Sequence, residues 1–246
     1  MPSHIIIPAR FLSSRLPGKA LLPIQGKPML LHVIEAALQV KDVASVTVAT
    51  DDTRIANVTR KANCKVIFTD QNHRNGTERV AEAARILDLP LDDVVLNLQS
   101  DMPYIFPWLC ELVIKDVEFY EVATAAVEVN STVSSDPSLV KVVMNSQDVA
   151  LYFSRKPIAT EYKKWNKHLG LYAMANSTLQ KYADTKPSCL EVYEDLEQLR
   201  WYDMGIFPGV ILTTRDCPSV NNQFDYEQLT DPRIEWPNEQ ITGHVI

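Results

Sequence analysis

Strand-like and helix-like segments alternate through the first 120 residues of this 246-residue chain. Short apolar runs rich in β-branched residues predict strands, and runs with apolar residues three and four positions apart predict the helices between them. This order favours an α/β fold with a mostly parallel central sheet and helices on both of its faces. The predicted strands are residues 4–8, 45–50, 65–69 and 94–99, and the predicted helices are residues 28–40, 51–62, 77–87 and 107–120.

The pattern changes after residue 120. Four strand-like runs follow without a helix between them, at residues 121–129, 139–145, 149–154 and 169–175. Strands joined by short loops pair antiparallel, so we expect a small antiparallel lobe at about 121–175 on the main sheet. A helix at 190–205 and a strand at 209–214 complete the pattern. Because no long linker interrupts the chain, we expect a single domain over residues 1–246.

The composition excludes several classes of protein. The net charge of −7 argues against a general nucleic-acid-binding protein. No apolar run reaches the roughly 18–20 residues of a membrane-spanning helix, so no membrane insertion is expected. The four cysteines lie far apart, without the spacing of a zinc site or a disulfide framework, which favours the reducing cytoplasm.

The first 34 residues carry four basic side chains and no acidic one, while the rest of the chain has a net charge of −11. Two interpretations remain open. The segment provides a site for an anion, or its density of basic residues is ordinary and only the missing carboxylates are unusual. The basic residues are Arg10, Arg15, Lys19 and Lys27.

Ligands of open α/β sheets bind beyond the carboxyl ends of the parallel strands. In this chain four segments, 8–19, 49–52, 73–79 and 99–103, are expected to meet there. The first contains two guanidiniums and one ammonium group, which suit a triphosphate because arginine binds phosphate in a bidentate manner and lysine acts as a compact charge. The alternative is a solvated loop with scattered basic residues.

Three further features have a chemical and a structural interpretation. Asp101 follows an apolar strand and is placed to hold Mg²⁺, or it caps a turn. The Gly76-Thr77 turn precedes a helix for which Thr77 is a natural cap, and its N–H groups can face an anion or a base. Glu191, Glu194 and Gln198 fall on one face of the predicted late helix, either as a site for a polyhydroxyl ligand or as an exposed acidic face.

The chain as a whole resembles the 3-deoxy-manno-octulosonate (Kdo) cytidylyltransferases, the CMP-Kdo synthetases of lipopolysaccharide synthesis. The resemblance covers residue 4 to about residue 230. It is carried by IIPARFLSSRLPGKALLPIQGKPMLLHVIEAA, VATDD, NGTERVAEA, LNLQSD, VKVVMNSQDVALYFSRKPI, KHLGLYAM and CLEVYEDLEQLR.

This resemblance implies a Rossmann-like nucleotidyltransferase fold and a homodimer joined through the smaller lobe. It also implies that CTP and Kdo react to give CMP-Kdo and pyrophosphate, with Mg²⁺ as the cofactor. By the same resemblance, Arg15, Lys19 and Asp101 are the expected catalytic residues, and Asp101 is an expected metal ligand. The nucleotide would contact Ala9, Arg10, Arg15, Lys19, Asn75, Gly76 and Gln99, and the sugar acid would contact Arg79, Gln99, His168, Tyr172, Glu194 and Gln198, with Arg155 in the matching YFSR strand.

The chain departs from the family pattern around the metal. The usual QGDEP is QSDMP at 99–103, and the aspartate expected as the second Mg²⁺ ligand is Asn221. Asp225 lies one helical turn further on and is a candidate to compensate. Three readings follow: an active CMP-Kdo synthetase with altered metal affinity, a cytidylyltransferase for another sugar acid such as 8-amino-Kdo or a nonulosonate, or a weakly active or inactive relative kept for nucleotide binding.

Overall fold

The computed structural model describes residues 1–12, 16–130, 136–156, 158, 164–231 and 233, with residue 130 described by its backbone alone. The strands are β1 (Ser3–Ala9), β2 (Pro23–Ile24), β3 (Lys27–Pro28), β4 (Ser45–Thr50), β5 (Lys65–Phe68), β6 (Val94–Leu98), β7 (Val122–Asn130), β8 (Lys141–Met144), β9 (Ala150–Ser154), β10 (Lys164–Ala175) and β11 (Gly209–Thr213). The helices are α1 (Met29–Ala37), α2 (Thr53–Lys61), α3 (Gly76–Ile86), α4 (Pro107–Lys115), α5 (Asn176–Asp184), α6 (Cys189–Glu194), α7 (Leu199–Asp203) and α8 (Gln223–Thr230).

The central sheet has the strand order β11-β7-β10-β6-β1-β4-β5, and β8 and β9 extend it from β10. Strands β6, β1, β4 and β5 run parallel to one another, and β7 pairs parallel with β11. Strand β10 is antiparallel to both of its neighbours in this order, β6 and β7. The expected mostly parallel sheet is therefore confirmed.

Helices cover both faces of this sheet. Ile5, Ile6 and Ile7 of β1 are completely buried, and successive side chains of a strand point to opposite faces. Ile5 and Ile7 belong to a core with α1, α2 and α4, whereas Ile6 belongs to a second core with α3 and α5. A strand covered on both faces reads as a continuous apolar run, which explains the three isoleucines.

The segment predicted to form a small lobe contributes four strands to the extended sheet. Strands β7 and β10 lie within the sheet, and β8 and β9 form the extension beside β10. Among the described residues, no helix combines the length and the apolar character that crossing a membrane requires.

The prediction of one continuous helix at 190–205 is wrong. The structure has two short helices there, α6 and α7, because Asp195 adopts a left-handed backbone conformation with φ of 52°. The predicted capping role of Thr77 is also corrected: Asn75 caps α3, and its side chain accepts the N–H of Glu78.

Candidate active site

A cavity of about 210 Å³ lies beyond the carboxyl ends of β1 and β6. It collects most of the residues that the sequence assigns to nucleotide binding, from segments that are far apart in the chain. Its lining includes Ala9, Arg10, Lys19, Asn75, Gly76, Arg79, Gln99, Asp101 and Asn221. We call it the first cavity. Arg15 lies outside the described residues, so its predicted role stays a prediction.

The loop after β1 is held in a turn that brings Lys19 to the first cavity. The N–H of Gly18 donates to the carbonyl oxygen of Phe11 at 2.8 Å. Gly18 has a φ of +72°, and an added Cβ would lie 3.1 Å from the Phe11 ring, so both conformation and space favour glycine there.

Lys19 and Asp101 form an ion pair at the edge of the first cavity. Lys19 Nζ lies 2.6 Å from Asp101 Oδ2, and both side chains are largely buried. The residues expected to bind phosphate and metal are therefore in direct contact, although they are 82 positions apart in sequence.

The amino terminus of α3 forms another wall. The Asn75 amide donates to the Tyr182 hydroxyl at 3.0 Å and to Glu191 at 3.3 Å, so this side chain holds the helix end in place. A Cβ on Gly76 would lie 2.9 Å from Gln99 Nε2 and 3.3 Å from Pro8 Cγ. Glycine therefore allows Gln99 to pass directly beneath the helix end.

Arg79 lines the first cavity, whereas the sequence assigned it to the sugar acid. Its side chain is 3% exposed, and its Nη1 donates to Thr69 Oγ1 at 2.5 Å. Nη2 lies 3.6 Å from an Asp51 carboxylate oxygen and has no hydrogen-bond partner. Burial lowers the pKa of Arg79 against the opposing effect of Asp51. The structure thus places a buried guanidinium with an unused donor at the wall of the first cavity.

A second cavity of about 140 Å³ adjoins the first. Gln99, Asp101 and Asn221 line both cavities, so they mark the boundary between them. His168 and Gln198, two of the predicted sugar-binding residues, line the second cavity.

The antiparallel strand β10 brings His168 to this position. Leu171 pairs with Leu98, the last residue of β6, so the preceding residues of β10 extend past the end of β6. His168 stacks on the ring of Tyr172 at a centroid distance of 5.3 Å. Burial lowers the pKa of His168 to about 3, so the imidazole is neutral at physiological pH.

Tyr172 and Glu194 do not line either cavity as described. The Tyr172 hydroxyl lies 2.6 Å from Gln198 Nε2, so Tyr172 lies behind Gln198, which itself lines the second cavity. Burial raises the pKa of Tyr172 well above its usual range. The carbonyl oxygen of Glu194 accepts a hydrogen bond from Arg155 Nε at 3.2 Å. The structure therefore brings His168 and Gln198 to the second cavity and leaves Tyr172 and Glu194 outside its lining.

The donor set around Asp101 fits a divalent cation that is shared with a substrate. The N–H of Val220 donates to the carbonyl oxygen of Asp101 at 3.0 Å, which keeps Asn221 beside Asp101. No cluster of three or more histidine, cysteine, aspartate or glutamate residues suited to a metal occurs in the described part of the chain. Mg²⁺ commonly binds one or two carboxylates together with substrate phosphates, and one carboxylate and one amide oxygen at the cavity boundary suit that arrangement.

Asp225 has a structural role at the start of α8, and its compensating role at the metal stays a prediction. Its carboxylate accepts the N–H groups of Asn221 at 2.7 Å and Asn222 at 3.2 Å. Asn222 Oδ1 accepts the N–H of Asp225 in return, which completes a capping box at the start of α8. The position of Asp225 therefore supports a capping function, and it stabilises the loop that carries Asn221.

Several site residues were not identified from the sequence. Lys167 lines the second cavity and forms an ion pair with Asp216 at 2.8 Å. Its position next to His168 in a strand was the available signal. Ser138 also lines this cavity, and its hydroxyl is buried without a hydrogen-bond partner. Nothing in the local sequence distinguishes Ser138 from an ordinary turn residue.

A buried ion-pair network connects the walls of the two cavities. Arg200 is completely buried, and its Nη2 lies 2.5 Å from Glu191 and 2.9 Å from Glu78. Glu78 belongs to the first turn of α3, whereas Arg200 follows Gln198 by two residues. The network therefore fixes the amino terminus of α3 relative to the segment that carries Gln198.

Comparison with known proteins agrees with this geometry. The cytidylyltransferase family matches residues 4–207. A 3-deoxy-manno-octulosonate cytidylyltransferase of Escherichia coli is 43% identical over 209 residues, which cover 82% of this chain and 84% of the relative. An 8-amino-3,8-dideoxy-manno-octulosonate cytidylyltransferase of Shewanella pealeana is 40% identical over 231 residues, which cover 90% of this chain and 94% of the relative.

Solved structures give the same result. The structure of a CMP:2-keto-3-deoxy-manno-octonic acid synthetase complexed with CTP has a TM-score of 0.84 and 39% identity, covering 94% of this chain and 97% of that one. A cytidylyltransferase from Leptospira borgpetersenii shares the fold alone, with a TM-score of 0.62 and 17% identity. The resemblance seen in the sequence is confirmed: the chain belongs to the cytidylyltransferase family, in the group of the manno-octulosonate cytidylyltransferases, and is a nucleotidyltransferase.

Proposed function

We propose that this enzyme joins CMP from CTP to the anomeric hydroxyl of Kdo and releases pyrophosphate. The observation that carries the proposal is the boundary between two adjoining cavities. Gln99, Asp101 and Asn221 line both of them, so a group bound in one cavity faces a group bound in the other across these three side chains.

The first cavity suits the nucleotide. Arg10 and Lys19 supply positive charge for the phosphates, and the amino terminus of α3, with its positive helix dipole, lies at the same cavity through Asn75 and Gly76. Gly76 lets the nucleotide approach the backbone closely, since a side chain there would meet Gln99. Arg79 has a buried donor to offer in this cavity.

The second cavity suits a polyhydroxylated acid. Gln198 Oε1 and Ser138 Oγ are buried without hydrogen-bond partners, and a ligand with hydroxyl groups would satisfy them. Unsatisfied buried polar atoms are rare in folded proteins and need a partner. The ammonium group of Lys167 lies on the same wall, paired with Asp216, and it suits the carboxylate of the sugar acid as a second partner.

The proposed reaction is an in-line displacement. The oxygen of the anomeric hydroxyl attacks the α-phosphorus of CTP, the bond from that phosphorus to the bridging oxygen breaks, and pyrophosphate leaves while the hydroxyl proton passes to solvent. Catalysis then depends on positioning and on neutralisation of phosphate charge. Asp101 and Asn221 would hold Mg²⁺, which when bound neutralises phosphate charge and favours the ionised form of a coordinated hydroxyl.

Lys19 serves the phosphates in this scheme. Its ammonium group already lies beside Asp101, so a short movement of a flexible side chain brings it to a phosphate oxygen. Because a direct displacement needs no enzyme nucleophile, we expect no covalent nucleotidyl-enzyme. Labelled protein after mixing with α-³²P-CTP alone would contradict this mechanism.

A second candidate substrate is 8-amino-Kdo. The Shewanella pealeana relative, whose name states this sugar acid, is 40% identical across 90% of this chain. The two sugar acids differ by one group, a hydroxyl or an ammonium, so both would use the same two cavities. A homodimer joined through the small lobe and a cytoplasmic location remain predictions.

Product analysis tests the proposal. The enzyme is incubated with CTP, Mg²⁺ and either Kdo or 8-amino-Kdo, and the products are separated by anion exchange and weighed by mass spectrometry. With Kdo, we expect a product whose mass equals that of CMP joined to the sugar acid. Asp101→Asn should slow product formation about 100-fold, and Asp92→Asn, at an exposed aspartate outside both cavities, should not.

The other outcomes separate the alternatives. Product formed only with 8-amino-Kdo would transfer the assignment to that sugar acid. CTP binding without product from any sugar acid would favour an inactive relative kept for nucleotide binding.

A further inference from the structure

Thr124 of β7 lies at an irregularity in the central sheet. The pairing of β10 with β7 shifts register between Leu169 and Tyr172. Thr124 is completely buried at this shift, and its hydroxyl oxygen lies 2.7 Å from the carbonyl oxygen of Leu171 and 3.4 Å from that of Leu169. The same hydroxyl lies 2.9 Å from His168 Nε2.

These contacts determine where the protons are. A carbonyl oxygen only accepts hydrogen bonds, and a threonine hydroxyl has a single hydrogen to donate. The Thr124 hydrogen therefore goes to Leu171, and the Thr124 oxygen accepts the Nε2–H of His168. Burial lowers the pKa of this histidine to about 3, so the ring carries one proton and Nδ1 carries none.

The proton on His168 in turn orients Gln198. Gln198 is buried, and its amide nitrogen lies 3.5 Å from His168 Nδ1 and 2.6 Å from the Tyr172 hydroxyl. Because Nδ1 is an acceptor, the NH₂ group of the amide faces it, and the carbonyl oxygen takes the remaining direction. This oxygen, Oε1, is buried without a hydrogen-bond partner, and Gln198 lines the second cavity.

We propose that Thr124 is a positioning residue for substrate selection: through His168 it fixes the amide of Gln198 so that Gln198 offers the second cavity an acceptor for a hydroxyl hydrogen. The identity of that hydroxyl as one of the sugar acid rests on the proposed function. If the amide were reversed, Gln198 would present donors instead, and those suit a carboxylate. Thr124 thus makes this part of the cavity select a hydroxyl over an anionic group.

Thr124→Val tests the proposal, because valine keeps the shape and removes the hydroxyl. Nε2 then loses its acceptor, so we expect the proton of His168 to move to Nδ1 and the amide of Gln198 to reverse. The KM for the sugar acid should rise about tenfold, as expected for the loss of one hydrogen bond to a buried group, while the KM for CTP stays unchanged. Thr124→Ser, which restores the hydroxyl, should recover both properties.

The tautomer of His168 is read directly by ¹⁵N NMR of histidine-labelled protein, with its resonance assigned by its absence in His168→Asn. Thr47→Val is the matched control, since Thr47 is a buried strand threonine whose hydroxyl has no hydrogen-bond partner. It should change neither the tautomer nor the KM for the sugar acid.

Several outcomes would overturn the proposal. One is an Nδ1–H tautomer in the unmodified protein, which needs no variant to fold. Another is an unchanged tautomer in Thr124→Val, and a third is a changed tautomer without a change in the KM for the sugar acid. If the unmodified protein releases no pyrophosphate with CTP and either sugar acid, the proposed function fails instead, and the NMR measurement alone still decides the orientation set by Thr124.

Discussion

Replacing Arg200 by methionine should lower the free energy of unfolding by about 3–5 kcal/mol, the range for removing one partner of a buried ion pair. Arg200 is completely buried, and its guanidinium donates to Glu191 at 2.6 and 2.5 Å and to Glu78 at 2.9 Å. Its Nη1 also donates to the carbonyl oxygens of Tyr182 and Thr185. Methionine fills a similar volume, so the loss comes from the two buried carboxylates: Glu191 loses its cation, and Glu78 keeps only the exposed Arg74, at 3.2 Å.

The penalty should disappear when the carboxylates are neutralised as well. The triple variant Arg200→Met, Glu191→Gln, Glu78→Gln should recover most of the lost stability, because the uncompensated charge is the main cost. Arg85→Met is the matched control. Arg85 pairs with Asp184 at 2.7 Å, but both side chains are at least half exposed, so its loss should change the free energy of unfolding by less than about 1 kcal/mol.

Urea denaturation followed by circular dichroism measures these differences, and a thermal scan should show a melting temperature lowered by about 10 °C for Arg200→Met. An Arg200→Met protein as stable as the unmodified one would refute the reasoning. So would a triple variant that is no more stable than the single variant, since the cost would then arise from lost packing.

Four further predictions concern the site. Gly76→Ala places a Cβ 2.9 Å from Gln99 Nε2 and should lower kcat/KM about tenfold, because it displaces a side chain common to both cavities; the melting temperature should change little. Asp101→Asn should lower turnover about 100-fold in the pyrophosphate assay, since it removes the carboxylate that is proposed to hold the metal, with an unchanged circular dichroism spectrum. Asn221→Asp should lower the Mg²⁺ concentration needed for half-maximal rate, because a second carboxylate strengthens the site. Burial raises the pKa of Glu197 from 4.5 to about 7. Between these two pH values the folded protein binds more protons than the unfolded chain, so it loses stability as the pH rises through this range. Glu197→Gln should flatten the curve of urea midpoint against pH over this range.

Each of these has an outcome that contradicts it. An unchanged kcat/KM in Gly76→Ala would show that activity does not depend on the position of the Gln99 side chain. Substantial turnover by Asp101→Asn would refute its role, and an unchanged Mg²⁺ dependence in Asn221→Asp would place Asn221 away from the metal. A pH profile unaffected by Glu197→Gln would show that this carboxyl titrates at its ordinary pKa.

The sequence predicted the parts of the fold that depend on local pattern. The run Ile5–Ile7 indicated a strand covered on both faces, and the alternation of strands and helices indicated parallel pairing. Since parallel strands end at one edge of a sheet, the proximity of Lys19 and Asp101 followed from topology alone. The direct 2.6 Å contact between them did not, because it depends on the turn at Gly18.

Features that depend on distant contacts were not predicted. The spacing of Glu191, Glu194 and Gln198 suits one helix, but Asp195 turns the chain, and Glu191 pairs with Arg200 in the interior. Thr77 and Asn75 are both good helix-capping residues, so residue type alone could not decide which of them caps α3.

The late part of the chain contains a further capping signal. Asn222 and Asp225 have the spacing of a capping box, which marks the start of α8. That interpretation predicts a capping role for Asp225 from the sequence alone, while its role toward the metal stays a prediction. The role of Thr124 had no comparable signal, because it depends on the register shift between β10 and β7.

The central claim is that CTP and a sugar acid react across the boundary formed by Gln99, Asp101 and Asn221. Continuous measurement of pyrophosphate release tests it most directly, with CTP, Kdo and Mg²⁺ present together and each omitted in turn. The account predicts release only when all three are present, and almost none from Asp101→Asn. Release from CTP without the sugar acid, or equal release from Asp101→Asn, would contradict it.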